Sequence, residues 1–280
     1  MHDPVDWGTA MSIKDILVQA DLTPASEPRI VLAVQVARRF AARLTGLCVL
    51  PPVRLLTPPE DSTVVVEVTA DLATLKAQAA DDGARFAAML DREGLQGAWL
   101  VEAENAFLQL QHHALISDLV ILGQHDPNEP AGFRNPERVI LNCGRPVLVV
   151  PYAGEFLQVG RNALVAWNGS REATRAAHDA LPIMGGSDAV TVISVDEDKA
   201  TPPGSELADH LRRHGMNAKA EKGIGGERSA ADAILSRAAD LGCDLIVLGA
   251  CHRAPLVELI LGGVTRDMLK AMTVPVLLAH

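Results

Sequence analysis

Residues 248–263, LGACHRAPLVELILGG, hold the residue types and spacing with the clearest chemical meaning in the chain. Gly249 lets the backbone turn sharply at the end of an apolar run. Gly262 and Gly263 stand directly before VTRDMLKAM, so their amides and those of Val264 and Thr265 fall at the start of a helix. Unpaired N–H groups and the helix dipole make such a start an anion site by geometry. The other reading of the same glycines is close packing of helix on sheet. Between them lie His252 and Arg253, side chains in a place where a loop that cradles phosphate uses bare backbone. They either meet an anion themselves or stand in solvent.

Two further places bear on binding. VQADLT puts Asp21 after an apolar run, where a carboxylate accepts hydrogen bonds from a ribose or an exocyclic amine, or else caps the following turn. VAWNGS offers Asn168, Gly169 and Ser170 in the corresponding place, with no charge and with the Asn-Gly pair that marks a turn. His112, His113, His125 and Asp126 lack metal-ligand spacing, and Cys48, Cys143, Cys243 and Cys251 form no CxxC pair, so a reduced, metal-free interior is expected. No Ser/His/Asp triad, GxSxG elbow or paired catalytic carboxylates can be nominated.

The elements that must carry these residues repeat. KDILVQADLTPASEPRIVLAVQVARRFAARLTGLCVL is matched in pattern by RNALVAWNGSREATRAAHDALPIMGGSDAVTVISV, SDLVILGQHD by CDLIVLGACH, and RPVLVVP by VPVLLAH. Two copies of one unit explain all three matches. Strands are expected near 14–20, 45–50, 98–102, 118–122 and 146–150, then near 162–167, 189–195, 217–221, 244–248 and 275–279, with helices near 26–43, 70–93, 105–115 and 136–142 in the first copy. The strands are near-continuous Val/Ile/Leu runs, as in a parallel sheet covered on both faces. This predicts an α/β protein of two doubly wound units, a leader over 1–12, units over 13–153 and 158–280, and a boundary in PYAGEFLQVG. The Pro-rich stretch 51–72 reads as a loop.

A net charge of −10 argues against nucleic acid and anionic lipid as partners, and the polar start and lack of a spanning apolar run against secretion or a membrane, which predicts a cytoplasmic protein.

Repeat, strand pattern and loop spacing together resemble a tandem universal stress protein. That resemblance implies the adenine-nucleotide α-hydrolase-like fold with strand order 3-2-1-4-5, and halves facing each other about a pseudo-twofold axis through RPVLVVP and VPVLLAH. The nucleotide-binding members carry G-x-x-G, nine residues, then G and Ser or Thr. Gly249 and Gly262 fit, while His252 and Gly263 replace the second glycine and the hydroxyl, which Thr265 is placed to supply. The first copy departs further, since after Gly123 the helix begins with Asn135-Pro136, a cap and first-turn pair. The resemblance therefore implies a non-catalytic stress-response protein with at most an impaired nucleotide or small-ligand site in the second unit. ATP is the only cofactor in view, a pairing of whole chains is compatible, and an ATP-binding or ATP-hydrolysing α/β protein is the alternative.

Overall fold

The computed structural model describes residues 13–50, 72–103, 106–129, 136–194, 204–222, 229–250 and 262–280. The expected leader, most of the loop over 51–72, Asn135, Cys251, His252 and Arg253 lie outside them. The N-terminal half runs β1 (Asp15–Ala20), α1 (Ser26–Phe40), β2 (Arg43–Val49), α2 (Leu72–Glu93), β3 (Gly97–Glu102), α3 (Ala106–Ala114), β4 (Leu119–Gly123), α4 (Pro136–Asn142) and β5 (Val147–Val150). The C-terminal half runs β6 (Asn162–Ala166), α5 (Arg171–Asp179), α6 (Leu181–Met184), β7 (Ala189–Ser194), α7 (Ser205–Arg213), β8 (Ala218–Lys222), α8 (Ala230–Asp240), β9 (Leu245–Gly249), α9 (Gly263–Ala271) and β10 (Val276–Ala279).

All ten strands form one sheet in the order β3-β2-β1-β4-β5-β10-β9-β6-β7-β8. Each half has the 3-2-1-4-5 order, with parallel pairing throughout. Because helices cover both faces, neighbouring residues on a strand enter different cores. Ile16 and Val18 pack with α1 and α2 residues such as Leu32, Ala33 and Phe86, whereas Leu17 packs with Leu110 of α3 and Val139 of α4. The same division recurs in the C-terminal half, where Val165 joins Ala176 and Leu211 while Leu164 joins Ile234 and Met268.

One acidic residue per half holds the start of the central strands in register. Asp118, ahead of β4, accepts hydrogen bonds from the amides of Lys14 and Asp15 at 2.8 and 3.0 Å. Asp244, ahead of β9, accepts from the amides of Gly160, Arg161 and Asn162, each at 3.0 Å.

The halves join through β5 and β10, which pair antiparallel with Val276 opposite Val149, Leu277 opposite Leu148, and Leu278 opposite Val147. The internal repeat superimposes Val147, Leu148 and Val149 on Val276, Leu277 and Leu278. Exchanging the halves therefore maps the outer two pairs onto each other and leaves Leu148–Leu277 on itself, so the pseudo-twofold axis passes between these leucines. Both are fully buried. Cross-ties flank the ladder: Gln124 Nε2 donates to the Leu269 carbonyl at 2.9 Å while its Oε1 accepts from the Tyr152 amide at 3.2 Å, and Arg39 donates to the carbonyls of Val159 and Gly185.

Truncating Leu277 to Ala opens a cavity at this joint. It is expected to lower stability by about 2–5 kcal/mol in urea unfolding, whereas the same change at the exposed Leu157 stays within about 0.5 kcal/mol.

Candidate functional site

In an open doubly wound sheet the crevice lies beyond the carboxyl ends of the first and fourth strands, where strand order reverses. The two halves fill that crevice differently.

In the N-terminal half it is occupied by the protein's own charges. Arg29, on the buried face of α1, is 2% exposed and Asp21 5% exposed. Arg29 Nη2 donates to Asp21 Oδ2 at 3.2 Å, and Arg29 Nε donates to the Gln19 carbonyl at 2.6 Å. Gln19 Nε2 donates to Asp21 Oδ2 at 3.0 Å, and its Oε1 accepts from the Gly123 amide at 3.3 Å. The Thr23 amide and hydroxyl both donate to Asp21 Oδ1, and the Asp21 amide donates to Ser26 Oγ. The guanidinium lies so close to Gly123 that a Cβ there would overlap it. Glycine at the end of β4 thus makes room for arginine, not for a ligand. Burial alone would push the Asp21 carboxyl up, but the Arg29 charge and the Thr23 and Gln19 hydrogen bonds outweigh it and hold the carboxyl below its ordinary 3.8.

In the C-terminal half the sequence alignment of the repeats puts Ala173, Ala176 and Ala177 of α5 where α1 has Ser26, Arg29 and Ile30. Removing the arginine lets the helix approach the strand. A Cβ at Gly249 would stand 2.6 Å from Glu172 C and 2.8 Å from Ala173 Cα, so Gly249 is needed for contact between β9 and the start of α5. Asn168 Oδ1 accepts from the Ser170 amide at 3.0 Å, Gly169 takes a positive φ of 70°, and Ser170 caps α5 by accepting from the Ala173 amide at 3.1 Å. Fold and loop thereby bring Asn168, Gly169 and Gly249 around one helix start. Asp21 belongs to the other half's crevice.

The second helix start differs in kind. Gly262 is the N-cap of α9 without a side chain to accept from the first-turn amides, and a Cβ built on Gly263 meets nothing within 4 Å. Val264 is 39% exposed and Thr265 is buried. The equivalent helix α4 begins with buried Pro136, which has no N–H to offer.

Sequence reasoning passed over Arg29 and Gln19. Their signal was present: a glutamine inside the apolar strand DILVQA, and an arginine at helical spacing from Ser26 and Ala33 on the face that packs inward. The three described cysteines are buried, and desolvation pushes the Cys48 thiol up to about 12 and the Cys243 thiol to about 11, which keeps them protonated and unreactive.

Residues 160–280 match the model of the Universal stress protein family. A universal stress protein from Archaeoglobus fulgidus DSM 4304 shares the fold with a TM-score of 0.69 at 13% identity, over 96% of this chain and 97% of that one. A protein of unknown function from Pseudomonas aeruginosa PAO1 does so with a TM-score of 0.57 at 18% identity, over 97% and 94%. No curated protein matches the chain in sequence. Among the described residues no helix is long and apolar enough to cross a membrane.

Changing Asp21 to Asn leaves a buried guanidinium without its counter-charge, and a loss of about 3–5 kcal/mol is expected. Asp21→Asn combined with Arg29→Met should lose less than the single change in urea unfolding. The folded carboxyl titrates below its unfolded value, so its contribution is complete above about pH 3.9 and lost as pH falls through the lower folded value. Acid unfolding of the double variant should accordingly be shallower than that of the parent.

Proposed function

Since residues 160–280 match the universal stress protein family model and the N-terminal half repeats their fold, we propose that this two-domain chain is a non-catalytic stress-response protein. Its small-ligand site is in the C-terminal half, between the end of β9 and the start of α9. The observation that carries this reading is the asymmetry of the crevices. The Arg29–Asp21 pair and Pro136 take up the N-terminal half's binding groups, while α9 opens on Gly262 and Gly263 with no capping side chain.

The ligand set proposed for that site is Asn168, Gly169, Gly249, His252, Gly262, Gly263, Val264 and Thr265. Its described members, Asn168, Gly169, Gly249, Gly262, Gly263, Val264 and Thr265, offer amides for an anion and include no carboxylate or imidazole to act as general base, which supports a binding role over turnover. It also favours weak nucleotide binding. A histidine in place of the second loop glycine carries a Cβ that disfavours a left-handed backbone, and a side chain where the family pattern has none.

ATP titrated calorimetrically into the parent is expected to bind more weakly than micromolar. His252→Gly with Gly263→Ser should raise affinity roughly tenfold or more, because one recovered charge-assisted hydrogen bond is worth about 1.5–3 kcal/mol. A Cβ at Gly263 meets no described atom within 4 Å. Unchanged affinity in a folded double variant would show that the loop has ceased to be a nucleotide site.

A further inference from the structure

At the rim of the sheet opposite the two crevices, where the strands begin, the halves leave a cleft between them. One side of it is the last turns of α1, where Gln35, Val36, Arg39 and Phe40 share a face at i, i+4 spacing. The other side is the chain leading into β6, residues 157–161, together with the end of α6 at Ile183, Gly185 and Gly186. The cleft has a volume of about 490 Å³, inside the range of roughly 300–1,000 Å³ in which small-molecule sites fall. Gly160, with a positive φ of 87°, keeps the two segments of the second side together, since a Cβ there would stand 2.5 Å from the Ile183 carbonyl oxygen.

The lining divides into an apolar wall and a cation with donors to spare. Val36, Val159 and Ile183 are buried, Phe40 is half-buried, and Leu157, 68% exposed, extends the wall into solvent. Arg39 donates to the carbonyls of Val159 and Gly185, which uses two of the five N–H groups of a guanidinium. Both acceptors are neutral. Burial lowers the Arg39 pKa, and the charge of Asp244 offsets this only in part. Asp244 itself accepts from the amides of Gly160, Arg161 and Asn162. The second arginine of the lining, Arg161, is bonded to Asp188 through both Nε and Nη2. The remaining N–H groups of Arg39 are therefore the charged donors that the cleft offers a ligand.

We propose that this cleft binds a small organic monocarboxylate, its carboxylate on Arg39 and an aliphatic or aromatic body on Val36, Phe40, Leu157, Val159 and Ile183. The edge of a guanidinium matches a carboxylate in charge and in planar geometry. The carboxylates of Asp188 and Asp244 beside the two arginines weigh against a second negative charge on the ligand, so phosphate fits less well. Both halves contribute to the site, so a bound acid holds α1 against the chain entering β6 and stabilises the folded state by mass action. The site is separate from the one proposed at α9, which lies at the other rim of the sheet.

The test titrates sodium octanoate, and separately sodium benzoate, into the full chain at pH 7.5 by calorimetry. At least one of the two acids should bind saturably, one molecule per chain. Arg39→Gln should weaken that binding roughly tenfold or more, the loss of one charge-assisted hydrogen bond. Leu157→Asp, which sets a like charge on the exposed part of the wall, should weaken it to a similar extent with urea unfolding unchanged. Arg92→Gln, at an exposed position on α2, should leave the affinity as it was. Because Arg39 also ties the halves together, unfolding is measured for every variant, and Leu157→Asp decides the case if Arg39→Gln is unstable. No saturable binding of either acid, an equal loss in Arg92→Gln, undiminished affinity in Leu157→Asp, or displacement of the bound acid by equimolar inorganic phosphate would overturn the proposal.

Discussion

The antiparallel ladder between β5 and β10 is the constraint on which the rest of the molecule depends. Each half, taken alone, would end in a short, wholly apolar strand, VLVV or VLLA, with an unpaired row of N–H and C=O groups. Such an edge invites association. Pairing the two edges with each other satisfies both rows, buries both leucines on the axis and fuses two five-stranded sheets into one. Of the outer edges that remain, β3 and β8, the second carries Lys219, Glu221 and Lys222 along its short length.

With the joint made in this way, the two crevices are related by the pseudo-twofold axis yet need not be equivalent in chemistry. The helix that follows the first strand packs at a distance set by what stands between it and the fourth strand. Arginine and glycine on one side, alanine and glycine on the other, both fill the space, and the choice decides whether the crevice holds an internal ion pair or a close backbone contact. A buried Arg–Asp pair offsets much of its attraction with desolvation, so its worth lies less in net stability than in fixing the end of β1 to the end of β4. The cost of that arrangement is the ligand site itself. The C-terminal half has alanine where the N-terminal half has Arg29, begins α9 on glycine without a capping side chain, and is the half in which binding is proposed.

Much of this was legible in the chain before any coordinates. Near-continuous Val, Ile and Leu runs at regular intervals marked parallel strands, because only a sheet covered on both faces rewards apolar residues at every position. The repeat of SDLVILG in CDLIVLG and of RPVLVVP in VPVLLAH marked two copies, and the apolar final strands pointed to their mutual contact. The strand ends, and with them the places where Asp21, Asn168 and Gly249 sit, followed directly.

What tertiary structure decided is which partner each of those residues takes. Asp21 had two readings from sequence, and only the folding of α1 back over β1 shows that Arg29, eight positions on, reaches its carboxylate. Gly249 had two readings as well, and its closeness to Glu172 and Ala173 depends on a contact between residues far apart in the C-terminal half's sequence. Asp118 and Asp244 look like ordinary turn carboxylates until the first and fourth strands lie side by side. Local periodicity is set by residues close in sequence and is written there; hydrogen-bond partners, burial and charge pairing arise between residues far apart, and only the packed fold brings them together.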